Sequence, residues 1–227
     1  MLQLAAQQPY FLADFYFFQK LFLSDIFIIS DFLLYRKQSA MVRTRLSAEY
    51  LPRYLTIPVS HPTDHSSSPI LRVKLLPQEQ WVGQHLKTLK SLYRRYPYFE
   101  YYFPELEEIY FRKYVYLHHF LIDLIRWQVK LLFPAKQIVI ASEENLNDLD
   151  SFVSWLGNLP AFQFLVYPNE AEYYQKQFSG FQTFVIEQIG NQRWPGGYTP
   201  EESLLVLLFL EGPDIVRFFQ KVNVPPA

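Results

Sequence analysis

Residues 11–34 run FLADFYFFQKLFLSDIFIISDFLL, and how this segment divides decides the fold. As one helix it is long enough to span a bilayer. Yet Asp14, Lys20, Asp25 and Asp31 interrupt it, and each such charge near a bilayer centre costs roughly 2.5–3.5 kcal/mol. The segment therefore divides into a helix over 13–23, a turn at Ser24-Asp25 and a strand at Ile26-Phe27-Ile28-Ile29. That unbroken apolar run fits a strand covered on both faces. A protein without a membrane span is expected, and the N-terminus lacks the basic stretch of a signal peptide, so a cytoplasmic location is expected too.

Helical and strand patterns alternate on both sides of this segment. Upstream, residues 2–6 form a short apolar run cut by Gln7-Gln8-Pro9. Downstream, residues 40–46 have period 2, with Val42, Thr44 and Leu46 on one face and Arg43 and Arg45 on the other. Further strands are expected over 54–59, 70–75, 138–140, 162–166 and 181–186. Pro77 opens a helix whose stripe is Val82, Leu86, Leu89, Tyr93 and Tyr96. A second helical region covers 105–132, and shorter helices are expected over 147–156 and 169–178. Thr199-Pro200-Glu201-Glu202 reads as a helix start, with the helix ending at Gly212-Pro213. These patterns predict one α/β domain over 1–227, with helices packed on a mixed sheet.

The chain has 227 residues, half of them hydrophobic, with 21 Lys+Arg against 22 Asp+Glu and a net charge of -1. This balance argues against a nucleic-acid partner. Cysteine is absent, which removes disulfides, thiolate metal sites and a cysteine nucleophile. The seven glycines form neither G-x-G-x-x-G nor a P-loop, so nucleotide binding through those loops is excluded. Ser203 has no G-x-S-x-G elbow around it. His61, Asp64 and His65 sit in a Pro/Ser-rich stretch without a helical zinc-site spacing, so no metal site is expected.

The strongest constellation is Lys37 followed by Arg43-x-Arg45. On a strand, both guanidiniums leave the same face about 7 Å apart. Two such forks suit a phosphate, pyrophosphate or carboxylate, although the same pattern also describes the solvated face of an edge strand. His85 lies beside the apolar stripe of its helix, either as a satisfied boundary histidine or as a general base. The aromatic cluster from Tyr93 to Phe103 either stacks a ligand or packs the core.

Taken in order, three blocks resemble the WbqC-like protein family. The first comprises Lys37-Gln38-Ser39, Arg43-x-Arg45 and Leu55-Thr56-Ile57-Pro58-Val59. The second is Trp81, His85, Leu89, Tyr93, Pro97, Phe99 and Tyr101 or Tyr102. The third is Ser203 to Pro213, which ends in Glu211-Gly212-Pro213. The resemblance implies an association with bacterial surface-polysaccharide (O-antigen) gene clusters and transfer of an acyl or aminoacyl group to an amino sugar. It also implies a small-molecule substrate bearing phosphate or carboxylate, such as a nucleotide sugar. Lys37, Arg43 and Arg45 would hold the anionic group, and His85 would be the catalytic base. Gln8, Tyr10 and Tyr93 would line the substrate site. Two positions depart from the family pattern: Gln7 stands where many members have His, and Val206 stands where the third block has an acidic residue. They motivate the alternative of a non-catalytic WbqC-like interaction or scaffold protein.

Overall fold

In the computed structural model, residues 1–46, 52–60, 68–177, 181–186 and 194–222 are described. The chain is α/β, with the parallel and antiparallel strands in separate sheets. The decisive segment divides as its charges require. Asp14 caps α1 (Phe15–Leu23), its side chain accepting from the Phe17 amide, and β2 (Ile26–Ile29) follows after Ser24. The apolar run at the N-terminus is β1 (Leu2–Gln7). With β5 (Ile138–Ile140), β6 (Phe162–Val166) and β7 (Gln182–Val185), these strands form a five-stranded parallel sheet in the order β5-β2-β1-β6-β7. β3 (Arg43–Leu46) and β4 (Arg53–Thr56) make a separate antiparallel ribbon. No helix among the described residues is long and apolar enough to cross a membrane.

Period-2 alternation sends successive residues of the parallel sheet to opposite faces. Ala5, Phe27, Ile29 and Leu165 enter a large cluster with α1, α2 (Val82–Tyr93), α3 (Phe99–Phe111), α4 (Leu117–Leu132), α7 (Leu205–Glu211) and α8 (Ile215–Val222). Leu4, Ala6, Ile28, Phe164 and Val166 enter a smaller one, covered by α5 (Leu149–Gly157) and α6 (Pro168–Gln177). Both faces of the sheet are thereby buried, as parallel strands require.

Several expected elements differ. The alternating stretch 70–75 is a 3-10 turn, Ile70–Arg72, followed by single bridges from Lys74 to Tyr116 and from Leu75 to Val59. Pro77 precedes a second 3-10 turn, Gln78–Gln80, before α2 begins. The helical region 105–132 is two helices, parted at 112–116, where the Tyr114 amide donates to Gln78 Oε1 and Leu117 to the Val73 carbonyl. The helix expected from Thr199 begins only at Leu205. The Thr199 amide donates to Glu202 Oε2, but residues 199–204 run as turns bridging Asp14 to Ser203.

Candidate functional site

The connections out of β1 and β6 diverge. From β1 the chain crosses by α1, on one face, to β2. From β6 it crosses by α6, on the other face, to β7. Such a reversal of strand order opens a crevice at the carboxyl ends of the two strands, where open α/β sheets bind their ligands. Here the crevice measures about 160 Å³ and is lined by Gln7, Tyr10, Asp14, Tyr16, Phe17, Tyr167, Asn169 and Glu170. Pockets that enclose drug-sized ligands run to roughly 300–1,000 Å³, so this one seats a single ring or one end of a larger molecule.

The floor of the crevice is a buried polar network. Lys20 leaves the apolar helix α1 fully buried and donates to Gln7 Oε1 (2.9 Å) and Glu170 Oε2 (2.5 Å). Its ammonium also lies 5.2 Å from the centre of the Tyr167 ring. Burial pushes the Lys20 ammonium below its usual range, and the Glu170 carboxylate opposes that shift. Glu170 Oε2 accepts in addition from the Tyr167 amide at 2.9 Å. With Pro168 and Asn169 between them, this is half of a capping box. The Lys20 contact orients the Gln7 amide, since its oxygen must face the ammonium. The amide nitrogen then donates to the Tyr10 hydroxyl at 2.8 Å. Tyr10 thus accepts from the floor, and its hydroxyl is also hydrogen-bonded with the Gln8 side chain. Burial raises its phenol well above the ordinary value, with the charges of Asp14 and Glu170 adding to the rise.

Asp14 lines the same crevice. One carboxyl oxygen accepts from the Phe17 amide at 3.0 Å. Burial raises the carboxyl from 3.8 to about 6, against the lowering effect of that hydrogen bond. A half-buried carboxylate with a pKa near 6, beside a phenol able to donate, is equipped to take a proton from an amine or hydroxyl.

Of the residues expected from sequence, Tyr10 lines the crevice, and the Gln8 side chain lies against its hydroxyl. The others lie elsewhere. Tyr93 is 1% exposed and packs against Tyr96 and Phe209. His85 is 5% exposed, between Phe11, Trp81 and Tyr110, with Nε2 donating to the Thr56 carbonyl at 3.1 Å and Nδ1 buried without a partner. Burial lowers its pKa from 6.5 to about 4, so the ring is neutral at pH 7. Arg43 and Arg45 share one face of the β3–β4 ribbon, and Lys37 is exposed on the preceding turn. His61, Asp64 and His65 lie outside the described residues.

Sequence reasoning missed Gln7, Asp14, Lys20, Tyr167 and Glu170. Signals for three of them were present. Lys20 interrupts an apolar helix face, where a charge survives only if paired. Asp14 precedes that helix at the cap, and Pro168 with Glu170 marks a second helix start.

The model of one family, described as the WbqC-like protein family, matches residues 8–218. No curated protein and no solved structure matches the chain.

Proposed function

The chain belongs to the WbqC-like protein family, and on that premise we propose that it is a transferase that moves an acyl or aminoacyl group onto the amine of an amino sugar in bacterial surface-polysaccharide biosynthesis. The crevice between β1 and β6 is its acceptor site. Asp14 carries this reading: a carboxyl with a pKa of about 6 at a topological switch point. At pH 7 it is largely ionised and attracts a protonated amino group. It takes the proton that the ammonium must lose before its nitrogen can attack the acyl carbonyl, and the second N–H proton leaves with the donor's leaving group as the bond to that group breaks. Tyr10, held as an acceptor toward Gln7, donates to the sugar or to the oxyanion forming on the acyl group. Asp14 rather than His85 is the base in this reading, because the free nitrogen of His85 faces the core.

The test pairs purified protein with amino-sugar nucleotides and aminoacyl or acyl donors, and compares Asp14→Asn with the native chain. Turnover should fall about 10²–10⁴-fold while the fold is kept. Turnover unchanged in Asp14→Asn would overturn the assignment. Binding of the amino sugar without turnover, under any donor, would favour the non-catalytic alternative.

A further inference from the structure

The strongest feature outside the crevice is the outer face of the β3–β4 ribbon. Arg43 and Arg45 project from the face opposite the one that Thr44 and Leu55 bury. The Arg43 guanidinium carbon lies over the Tyr54 ring, 3.9 Å from its centre. The contact leaves N–H groups of the fork to donate. Arg43 makes no ion pair among the described residues, and its Nε is shielded from water without a hydrogen-bond partner. Arg45 Nε is shielded and unpartnered in the same way, with Glu202 Oε1 at 3.6 Å, beyond hydrogen-bond range. An atom closed to water is closed to a ligand oxygen as well, so the donors that the two forks offer an anion are their terminal Nη groups.

The exposed cations Lys37, on the turn before the ribbon, and Arg53, on β4, flank the pair along the sequence, and the carboxylate recorded against it is Glu202, beside Arg45. We infer that the Arg43–Arg45 face binds a pyrophosphate, one fork to each phosphoryl group. The spacing of about 7 Å between alternate residues of a strand addresses two linked phosphoryl groups better than one carboxylate. Arg43, oriented by Tyr54, is the principal contact, and Arg45 shares its charge with Glu202.

The ribbon is fastened to the segment that builds the crevice. The Phe11 amide donates to the Ala40 carbonyl, Thr44 Oγ1 to the Leu12 carbonyl, and Ser203 pairs with both Arg45 and Asp14. A pyrophosphate-linked amino sugar would reach both places, an extension that rests on the crevice reading. The anion site itself does not rest on it.

The test is isothermal titration of the full chain with inorganic pyrophosphate, which carries no amine and so leaves the crevice reading untouched. Native protein should bind, with an affinity that falls as salt rises. Arg43→Met should weaken binding about 10–100-fold. Arg43→Lys should recover little of it, because a lysine keeps the charge but loses the fork. Tyr54→Leu, a change at a half-exposed position outside the core, should weaken binding several-fold without unfolding the chain. Failure of pyrophosphate to bind the native chain at millimolar concentration would overturn the site, as would unchanged binding by folded Arg43→Met.

Discussion

At the residue scale, this molecule keeps several ionisable groups where water is scarce, and each leaves a signature in pH. The Asp14 carboxyl has a folded pKa of about 6 against an ordinary 3.8. The folded chain therefore holds that proton more tightly than the unfolded one, and stability falls as pH rises from about 4 to about 6. Asp14→Asn removes the charge and keeps a good helix cap. It should make the protein about 1–2 kcal/mol more stable at pH 7 by urea unfolding, the opposite of its effect on turnover. A destabilised native chain in the crevice is the mark of a group placed for chemistry rather than for folding. His85 has the reverse sign. Its folded pKa of about 4 lies below the ordinary 6.5, so its contribution is complete above pH 6.5 and is lost as pH falls toward 4. Unfolding free energies measured between pH 7 and 4 should drop by about 2 kcal/mol more in the native chain than in His85→Phe.

At the element scale, the Lys20–Glu170 pair joins α1 to α6 across the carboxyl ends of β1 and β6. Lys20→Met leaves a partly buried carboxylate without its partner and should cost about 3–5 kcal/mol. Adding Glu170→Gln should recover much of that, a coupling that a double-mutant cycle reads directly. A second junction lies at the end of α7. Gly212 has φ 58°, and a Cβ there would meet the Tyr98 ring at 2.6 Å. Gly212→Ala should therefore lower the melting temperature by several degrees, through both strain and the displaced ring. The unbroken apolar run Ile26–Ile29 and the stripe of α2 were legible because each is a local pattern carried by consecutive residues. The break between α3 and α4 was not. Its backbone groups are held by Gln78 and Val73, more than thirty residues upstream. Residues 70–75 had a strand's alternation without a strand's partners: Ile70 bonds to Leu33, Leu75 to Val115, and among the described residues only single bridges, to Val59 and Tyr116, stand in for a neighbouring strand.

At the scale of the whole molecule, the larger apolar cluster takes in residues from Ala5 to Phe219, so both ends of the described chain share one interior. A core of this kind predicts a single cooperative unfolding transition, with tryptophan fluorescence and far-ultraviolet circular dichroism giving coincident curves. Two separated transitions would mean that the antiparallel ribbon and its helices unfold apart from the parallel sheet. Phe209 lies at the centre, against Tyr93 and Phe99. Phe209→Ala should cost about 3–5 kcal/mol and shift both probes equally.

The sequence by itself determined the class and much of the element list. A charge about every six residues forbids one long apolar helix, and the change from period 3.6 to period 2 separates helix from strand wherever the periodic face is buried. It also set the two arginines on one side of a strand, because alternation is a property of the backbone alone. Only the tertiary structure decided the strand order, and with it the site. Gln7, Asp14 and Lys20 stand about 150 residues from Tyr167 and Glu170 along the chain, and no local pattern links them. They meet because β6 returns to pair with β1, a choice made by the burial of two sheet faces at once.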